Sequence, residues 1–479
     1  MVTAAVLAPA SADAATAWNQ PVVSEPGIRI PRVWTTVNDP AKAPGFIFLT
    51  PRAKPGQRTG PTILDADGRV VWFHQLARSR TAIGMQPQTY RGKPVITWGQ
   101  RPPLEHEGDL YTGNAHTVYN VIADASYKII ARVRAHGRGI NTDLHEFQIT
   151  KRNTALVLGF RTVKRNLKKY GGVEHSAILD NVIQEVDIKT GRVIFSWSAA
   201  RRLSPRDSYV KPPEVGGWDA YHINAISEDS DGNLLLTSRH MSVVYKIDRH
   251  SGRVIWKLGG KHSHFRVSPN AAFYYPHDAQ RAPDGTITIF DNRSTAIDKS
   301  RGSSRAVRIR LTSRRTASLA RAYRHPTGTV FATSQGNVSE LGDGPKNVFV
   351  GWGSSPWWSE YAPDGHIVFA AHFQSMWNQS YRAFKGPWVG APKNDPSVAV
   401  LTEGDALSIY VSWNGATEVK QWRVVRGPDA STLTPVLTAD WANFETKLTV
   451  PAAPGLIQVE ALDAAGTVIG RSELLPATS

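Results

Sequence analysis

Three stretches of this chain open on a histidine and reach an arginine 16 or 17 positions later. They are "HEFQITKRNTALVLGFR" from His145 to Arg161, "HINAISEDSDGNLLLTSR" from His222 to Arg239, and "HDAQRAPDGTITIFDNR" from His277 to Arg293. Imidazole is a nucleophile and a proton carrier near neutral pH because its unperturbed pKa is about 6.5. Guanidinium offers a planar fork of donors that fits sulfate, phosphate or carboxylate. Three histidines alone would suggest Zn, Cu or Fe. The arginines oppose that, since a fixed cation repels a divalent metal, so an oxyanion pocket is expected and no metal ligand.

Such a pocket needs an architecture that repeats. In each stretch a short strand follows the histidine, then a turn, then an aliphatic strand that ends at the arginine. Weaker copies keep the turn and the strand at 85–100 ("MQPQTYRGKPVITWGQ"), 334–353 and 359–373, which makes six. Between copies, "QEVDIKTGRVIFSWS" (184–198) and "VYKIDRHSGRVIWKLGG" (244–260) read as outer hairpins, with a Thr/Ser-Gly turn before alternating aliphatics and Trp. Short strands with Gly turns at repeating intervals specify a six-bladed β-propeller. Equivalent ends of the inner strands then converge on one mouth of the channel, while the aliphatics pack between blades. Residues 25–80, with "PGFIFLTPR" and "GPTILDADGRVVWFHQL", are expected to start the first blade.

The propeller is expected to span 25–392. After about residue 393 the texture becomes regular apolar/polar alternation, as in "PSVAVLTEGDALSIYVSW", and an immunoglobulin- or fibronectin-like β-sandwich is expected over 393–479. The fold class is therefore all-β. Residues 1–24 form a leader: it is Ala-rich, and Ala12-Asp13-Ala14 looks like a signal-peptidase site, so a secreted protein is expected.

Composition narrows the chemistry. There is no cysteine among the 479 residues, which excludes disulfides, thiol catalysis and thiolate metal sites. No apolar run is long enough to span a bilayer. A formal charge of +16 concentrates anionic ligands without choosing among them. The basic runs "KRNLKKY" (164–170) and "SRGSSRAVRIRLTSRR" (300–315) lack interleaved aromatics, so they read as solvated faces and no nucleic-acid partner is expected. Walker, HExxH and GxSxG motifs are all missing. Seven other histidines (His106, His136, His175, His250, His262, His264 and His366) fall in loops and carry no expected role.

At "GGWDAYHINAISEDSDGNLLLTSRH", "IDRHSGRVIWKLGGKHSHF", "YPHDAQRAPDGTITIFDN" and "SYRAFKGPW" the sequence resembles the arylsulfotransferase family, in particular its secreted single-chain actinobacterial and fungal branch. The resemblance covers roughly residues 40–392 and implies a six-bladed propeller. It implies transfer of a sulfuryl group from a phenolic sulfate to a phenol, with no 3'-phosphoadenosine-phosphosulfate and no other cofactor. The family's transiently sulfated histidine matches His277 of "HDAQR". His222 of "DAYHINAI", Asn224 two places on, Arg239 of "LLLTSRH" and His145 of "DLHEF" match other pocket residues. Arg239 and His222 would neutralise the sulfuryl oxygens, His145 would shuttle the phenol proton, Tyr221 would either stack on an aromatic substrate or pack in the propeller core, and Arg293 would add a second guanidinium. Two other functions use the same residues. A polysaccharide lyase would bind a uronate of an acidic glycan, and a non-catalytic module would only hold an anion in the channel.

Overall fold

The computed structural model describes residues 18–52, 57–102, 117–293, 302–342, 346–374 and 376–477. The leader up to residue 17 and His106 lie outside the described residues. The described chain is all-β, and its one α-helix, Ala199–Arg202, is a single turn.

Six antiparallel sheets follow one another, each built on a four-strand meander. The first four begin with Thr81–Tyr90, Asn141–Ile149, Ile223–Glu228 and His277–Arg281, and the fifth with Asn337–Glu340. In the third, Ile223–Glu228 pairs with Leu234–Ser238, then come Val243–Ile247 and Val254–Gly259. Its first turn is Asp231-Gly232-Asn233, where Gly232 has φ +81°, a conformation that favours glycine. The outer hairpins expected at 184–198 and 244–260 are both present.

The sixth sheet departs from the sequence reading. Its first strand is Ser380–Gly386, and its other three are Phe46–Pro51, Thr62–Leu64 and Val70–Phe73. The strands expected to start the first blade, within 46–73, therefore complete the last sheet instead, and Arg29–Pro31 pairs only with Asn19–Pro21. The copy expected at 359–373 is the outer pair of the fifth sheet, Trp357–Tyr361 with Ile367–His372, and Trp34–Asn38 adds to its edge. The physical reason is that Ser380–Gly386 pairs with a strand from the other end of this region, so no turn marks it in the sequence.

The six first strands pack on one another in succession, and Ser380–Gly386 in turn packs on Thr81–Tyr90. The apolar core is correspondingly divided into clusters between neighbouring sheets. Leu156, Leu158 and Ile183 meet Leu234, Leu236 and Tyr245 between the second and third. Leu235, Val244 and Leu258 meet Ile287, Ile289 and Val307 between the third and fourth. Strands in the middle of a sheet, such as Leu234–Ser238, are buried on both faces, which is why "NLLLTS" reads as a continuous apolar run, whereas outer strands such as Val254–Gly259 keep exposed positions. Where it is described, the basic run at 300–315 is a solvated face in part: Arg310, Arg314 and Arg315 are exposed, whereas Arg305 is buried with its Nε 2.9 Å from Asp291 and Arg308 bonds Asp284 and Glu340.

Residues 397–476 form two further sheets, one from Ser397–Glu403, Ala406–Ser412 and Glu445–Pro451, the other around Gln421–Gly427 and Leu456–Leu462. Both contribute to one core, with Leu407, Ile409, Trp422, Val424, Leu448 and Val459 fully buried. Tyr127 joins this region to the first and sixth sheets. Its ring stacks on Trp72 at 4.6 Å, its hydroxyl donates to the Gly415 carbonyl at 2.7 Å, and it accepts from Trp388 Nε1 at 3.1 Å.

Gly415 has φ +99°, and a Cβ there would fall inside the Tyr127 ring. Gly415→Ala is expected to destabilise the junction by about 2 kcal/mol, from backbone strain and overpacking together. Thermal unfolding followed by tryptophan fluorescence checks this, with a lowered midpoint expected and an unchanged midpoint contradicting the contact.

Candidate active site

His145, His222 and His277 belong to three consecutive inner strands, and each stands where the strand pairing is irregular. The register slips between Asp143 and Phe147, between Ile223 and Ala225, and between His277 and Gln280. Such bulges re-aim side chains that strict two-residue alternation would send into the sheet interface. Positive φ at His222 (+45°) and Asp278 (+52°) marks the same distortion. The three rings come together with His277 at the start of its strand, His222 just before Ile223–Glu228, and His145 within the slipped stretch of Asn141–Ile149. His145 and His222 lie 5.2 Å apart, and Tyr381 is 5.7 Å from His145 and 6.4 Å from His277, centroid to centroid.

Two of the histidines are backed by carboxylates. Nδ1 of His145 donates to Asp143 at 2.5 Å, and Nδ1 of His222 donates to Asp219 at 2.5 Å. Each arrangement holds the ring in the tautomer whose Nε2 is a base or nucleophile, and it stabilises the imidazolium that forms. No protein group among the described residues hydrogen-bonds Nε2 of His145. Burial works to raise the Asp143 pKa, but His145 outweighs it and holds this carboxyl below its ordinary range. For His222, burial depresses the pKa against the pull of Asp219, and Arg239 adds to the depression.

His277 is fixed differently. Asn292 donates through Nδ2 to the Ala332 and Gln335 carbonyls, at 2.8 and 3.0 Å, so its Oδ1 faces the ring. Nδ1–H of His277 donates to that oxygen at 2.6 Å, and Nε2 accepts from the Gln335 backbone N–H at 3.0 Å. The ring is buried, and burial together with the Arg239 charge holds its pKa well below 6.5. At neutral pH it is an uncharged imidazole with its lone pair directed along a defined line.

Arg239 lies beside this cluster. Its Nη1 contacts Nε2 of His240 at 2.8 Å, and its Nη2 donates to the Thr333 carbonyl at 3.0 Å. His240 accepts that bond, so its Nδ1–H donates to the Asp219 carbonyl at 2.6 Å. Burial, then His222 and Arg239, lower the His240 pKa to about 3. Asp219, His222 and His240 bring potential ligand atoms within 4.8 Å of one another, a spacing that a metal could use. The guanidinium against His240 is a fixed cation that opposes a divalent ion in that position.

Beneath the cluster, Arg382 Nη1 lies 2.9 Å from Glu146 and 3.5 Å from Asp278, and all three are buried. Asn224 is buried beside them. Its Nδ2 donates to the Pro276 carbonyl at 2.9 Å, its Oδ1 has no hydrogen-bond partner, and its carbonyl accepts from Tyr381 and Arg382.

The two remaining expected residues have other neighbours. Tyr221 is fully buried in the apolar cluster between the second and third sheets, among Leu158, Ile178 and Trp218, because it points to the sheet interface before the bulge begins. Arg293 sits 4.0 Å from Asp291 with the Arg305 charge nearby, and Arg161 pairs with Asp180 at 3.0 Å. The sequence reading missed Asp143, Asp219, Asn292, His240, Tyr381 and Arg382. Aspartates two and three positions before His145 and His222 were available as a signal.

A family model described as arylsulfotransferase (ASST) matches residues 86–374, a span containing all three histidines and Arg239. No curated protein matches the chain. Among solved structures, a protein of unknown function from Bacteroides caccae is 13% identical with a TM-score of 0.44, over 72% of this chain and 99% of that one. A catalytically inactive virginiamycin B lyase from Staphylococcus aureus, solved with quinupristin, is 8% identical with a TM-score of 0.36, over 80% and 96%. Likenesses this low carry no argument about activity.

Buried neutral histidines make stability depend on pH. Unfolding restores each to an ordinary 6.5, so between that value and the depressed folded values the unfolded state binds more protons. Their stabilising contribution is complete above about pH 6.5 and is lost as pH falls toward the folded pKa values. The unfolding midpoint is expected to drop between pH 7 and 5, with a shallower slope in His240→Asn. A His240→Asn profile parallel to the wild type would contradict the burial of a neutral ring at this position.

Proposed function

Since the chain belongs to the arylsulfotransferase family, we propose that it moves a sulfuryl group from a phenolic sulfate ester to a phenol through a sulfohistidine on His277. The family supports a sulfotransferase acting on small aryl sulfates and phenols. The observation that carries the finer reading is the state of His277, a buried neutral imidazole with its proton held on Nδ1 by Asn292.

In the first half-reaction the Nε2 lone pair of His277 attacks sulfur, and the bond from sulfur to the aryl oxygen breaks. The Gln335 N–H, which now donates to Nε2, must give up that lone pair and turn to a sulfuryl oxygen. Arg239 neutralises charge on the other sulfuryl oxygens, in a site where water is scarce and the interaction correspondingly strong. The leaving phenolate takes a proton from His145, whose imidazolium Asp143 stabilises. In the second half, His145 accepts the proton of the incoming phenol, whose oxygen attacks sulfur. The N–S bond breaks, and its electron pair returns to Nε2. His222, held neutral with its Nδ1–H on Asp219, presents only a lone pair at Nε2 and so supplies no donor to the sulfuryl oxygens in this state. Neither half requires 3'-phosphoadenosine-phosphosulfate or a metal.

The architecture proposed for this chemistry is a six-bladed β-propeller over 25–392, closed by Phe46–Phe73 and Ser380–Gly386, with an immunoglobulin- or fibronectin-like β-sandwich over 393–479. Support comes from the six sheets packed in succession and from the shared core of the last two sheets. Export is proposed from the Ala-rich leader.

With p-nitrophenyl sulfate as donor, nitrophenolate release is expected to rise with an added phenol acceptor, to follow ping-pong kinetics and to survive exhaustive chelation. Arg239→Ala is expected to slow turnover on the order of 100-fold or more. Unsaturated products from a uronate polymer, without nitrophenolate, would overturn the transferase in favour of a lyase. Loss of activity on chelation, with recovery on adding zinc, would overturn the oxyanion pocket.

A further inference from the structure

The inner strands run away from the histidines: His277 begins its strand, whereas Tyr90 ends the strand Thr81–Tyr90. At this far end lies an open groove of about 960 Å³, between the Tyr90–Lys93 turn, the Asp124–Ser126 turn, Lys189 and the linker at Ala391–Lys393. Five exposed cations line it, Arg91, Lys93, Arg132, Lys189 and Lys393. None of them forms a close ion pair among the described residues, although the charge of Lys393 lies near enough to act on Asp124. The one carboxylate of the groove, Asp124, is engaged by Ser126 through N and Oγ, at 2.9 and 2.7 Å, and by the Lys128 N–H at 3.1 Å. The groove is also fixed in shape. Ala391 N donates to the Ala125 carbonyl at 2.8 Å, Gly390 N to Thr417 Oγ1 at 3.0 Å, and Arg91 N to Asn153 at 2.6 Å.

We infer that this groove binds a linear acidic polysaccharide. Five cations contributed by four separate chain segments exceed what a small anion can reach, and they match charges spaced along a polymer. A single-stranded nucleic acid would need aromatic faces on which bases stack. Here the ring of Tyr90 is covered by Arg91 at 5.1 Å, and the remaining apolar walls are Pro94, Val95, Ile130 and Ala131. Such aliphatic walls suit the C–H faces of pyranose rings, with carboxylate or sulfate groups turned to the cations. The site would hold the protein on an anionic matrix while leaving the histidine end of the strands open.

The test uses the full chain with fluorescent oligosaccharides of heparin (sulfated) and polygalacturonate (carboxylated). Neutral dextran and a single-stranded oligonucleotide of equal charge serve as comparisons. Both acidic sugars are expected to bind, more weakly as salt rises, and dextran not at all. The combined variant Arg91→Asn, Lys93→Gln, Arg132→Gln is expected to bind roughly 10-fold or more weakly, a loss of about 1.4 kcal/mol, with nitrophenolate turnover unchanged. A control variant, Lys164→Gln, Lys168→Gln, Lys169→Gln, lowers net charge equally elsewhere and is expected to bind as the wild type does. Binding of one acidic sugar alone identifies the anionic group and supports the site. Absence of binding, equal loss in the control, an unaffected groove variant, or tighter binding of the oligonucleotide would overturn it. Binding is read without turnover, so its failure leaves the transferase reading untouched.

Discussion

The pairing of Ser380–Gly386 with Phe46–Pro51 is the constraint on which the rest of the molecule depends. It completes the sixth sheet from two distant parts of the chain and sets that sheet's first strand against Thr81–Tyr90. The same strand carries Tyr381 between His145 and His277, and Arg382 between Glu146 and Asp278. Without it the three histidines would have their local turns and bulges but no common floor. Such non-local pairing forms only after a large loss of chain entropy, so the site assembles with the global fold and not before it.

Charge in the site is arranged around that floor. Arg382 is compensated by two carboxylates and contributes little field above it. His222, His240 and His277 are kept neutral by burial, reinforced by the Arg239 charge. Arg239 is thus the guanidinium set among neutral imidazoles, and a tetrahedral oxyanion is the ligand class that complements it. The five-cation groove at the other end of the strands is different in kind, because its charges are exposed and spread along a surface.

Much of this was legible in the sequence, for a local reason. A histidine, a polar turn and an aliphatic strand lie within about twenty residues, so the hairpins at His145, His222 and His277 announce themselves, and the alternation after residue 393 marks the last two sheets. The sixth sheet was not legible, because its central pairing has no turn. Tyr381 and Arg382 were quoted within a family motif, but their place between other sheets depends on that same closure. Of the two places open to Tyr221, the substrate face and the core, the sequence could not choose, because it adjoins His222 just before the strand begins and its packing among Leu158, Ile178 and Trp218 depends on the neighbouring sheet. Arg293 followed the repeat in sequence but meets Asp291, whereas Arg239 at the equivalent position has His240 beside it. Asp143 and Asp219 were the missed local signal, each within three residues of its histidine.

The central claim is that His277 attacks sulfur although its Nε2 now accepts a hydrogen bond from Gln335. The most direct measurement is a short pulse of aryl sulfate donor without acceptor, followed by peptide mapping by mass spectrometry. The account predicts one added sulfuryl group, on the peptide containing His277 and localised to that side chain, which disappears when a phenol is added. A sulfuryl group on His145 or His222, or continued turnover by a folded His277→Ala variant, would contradict it.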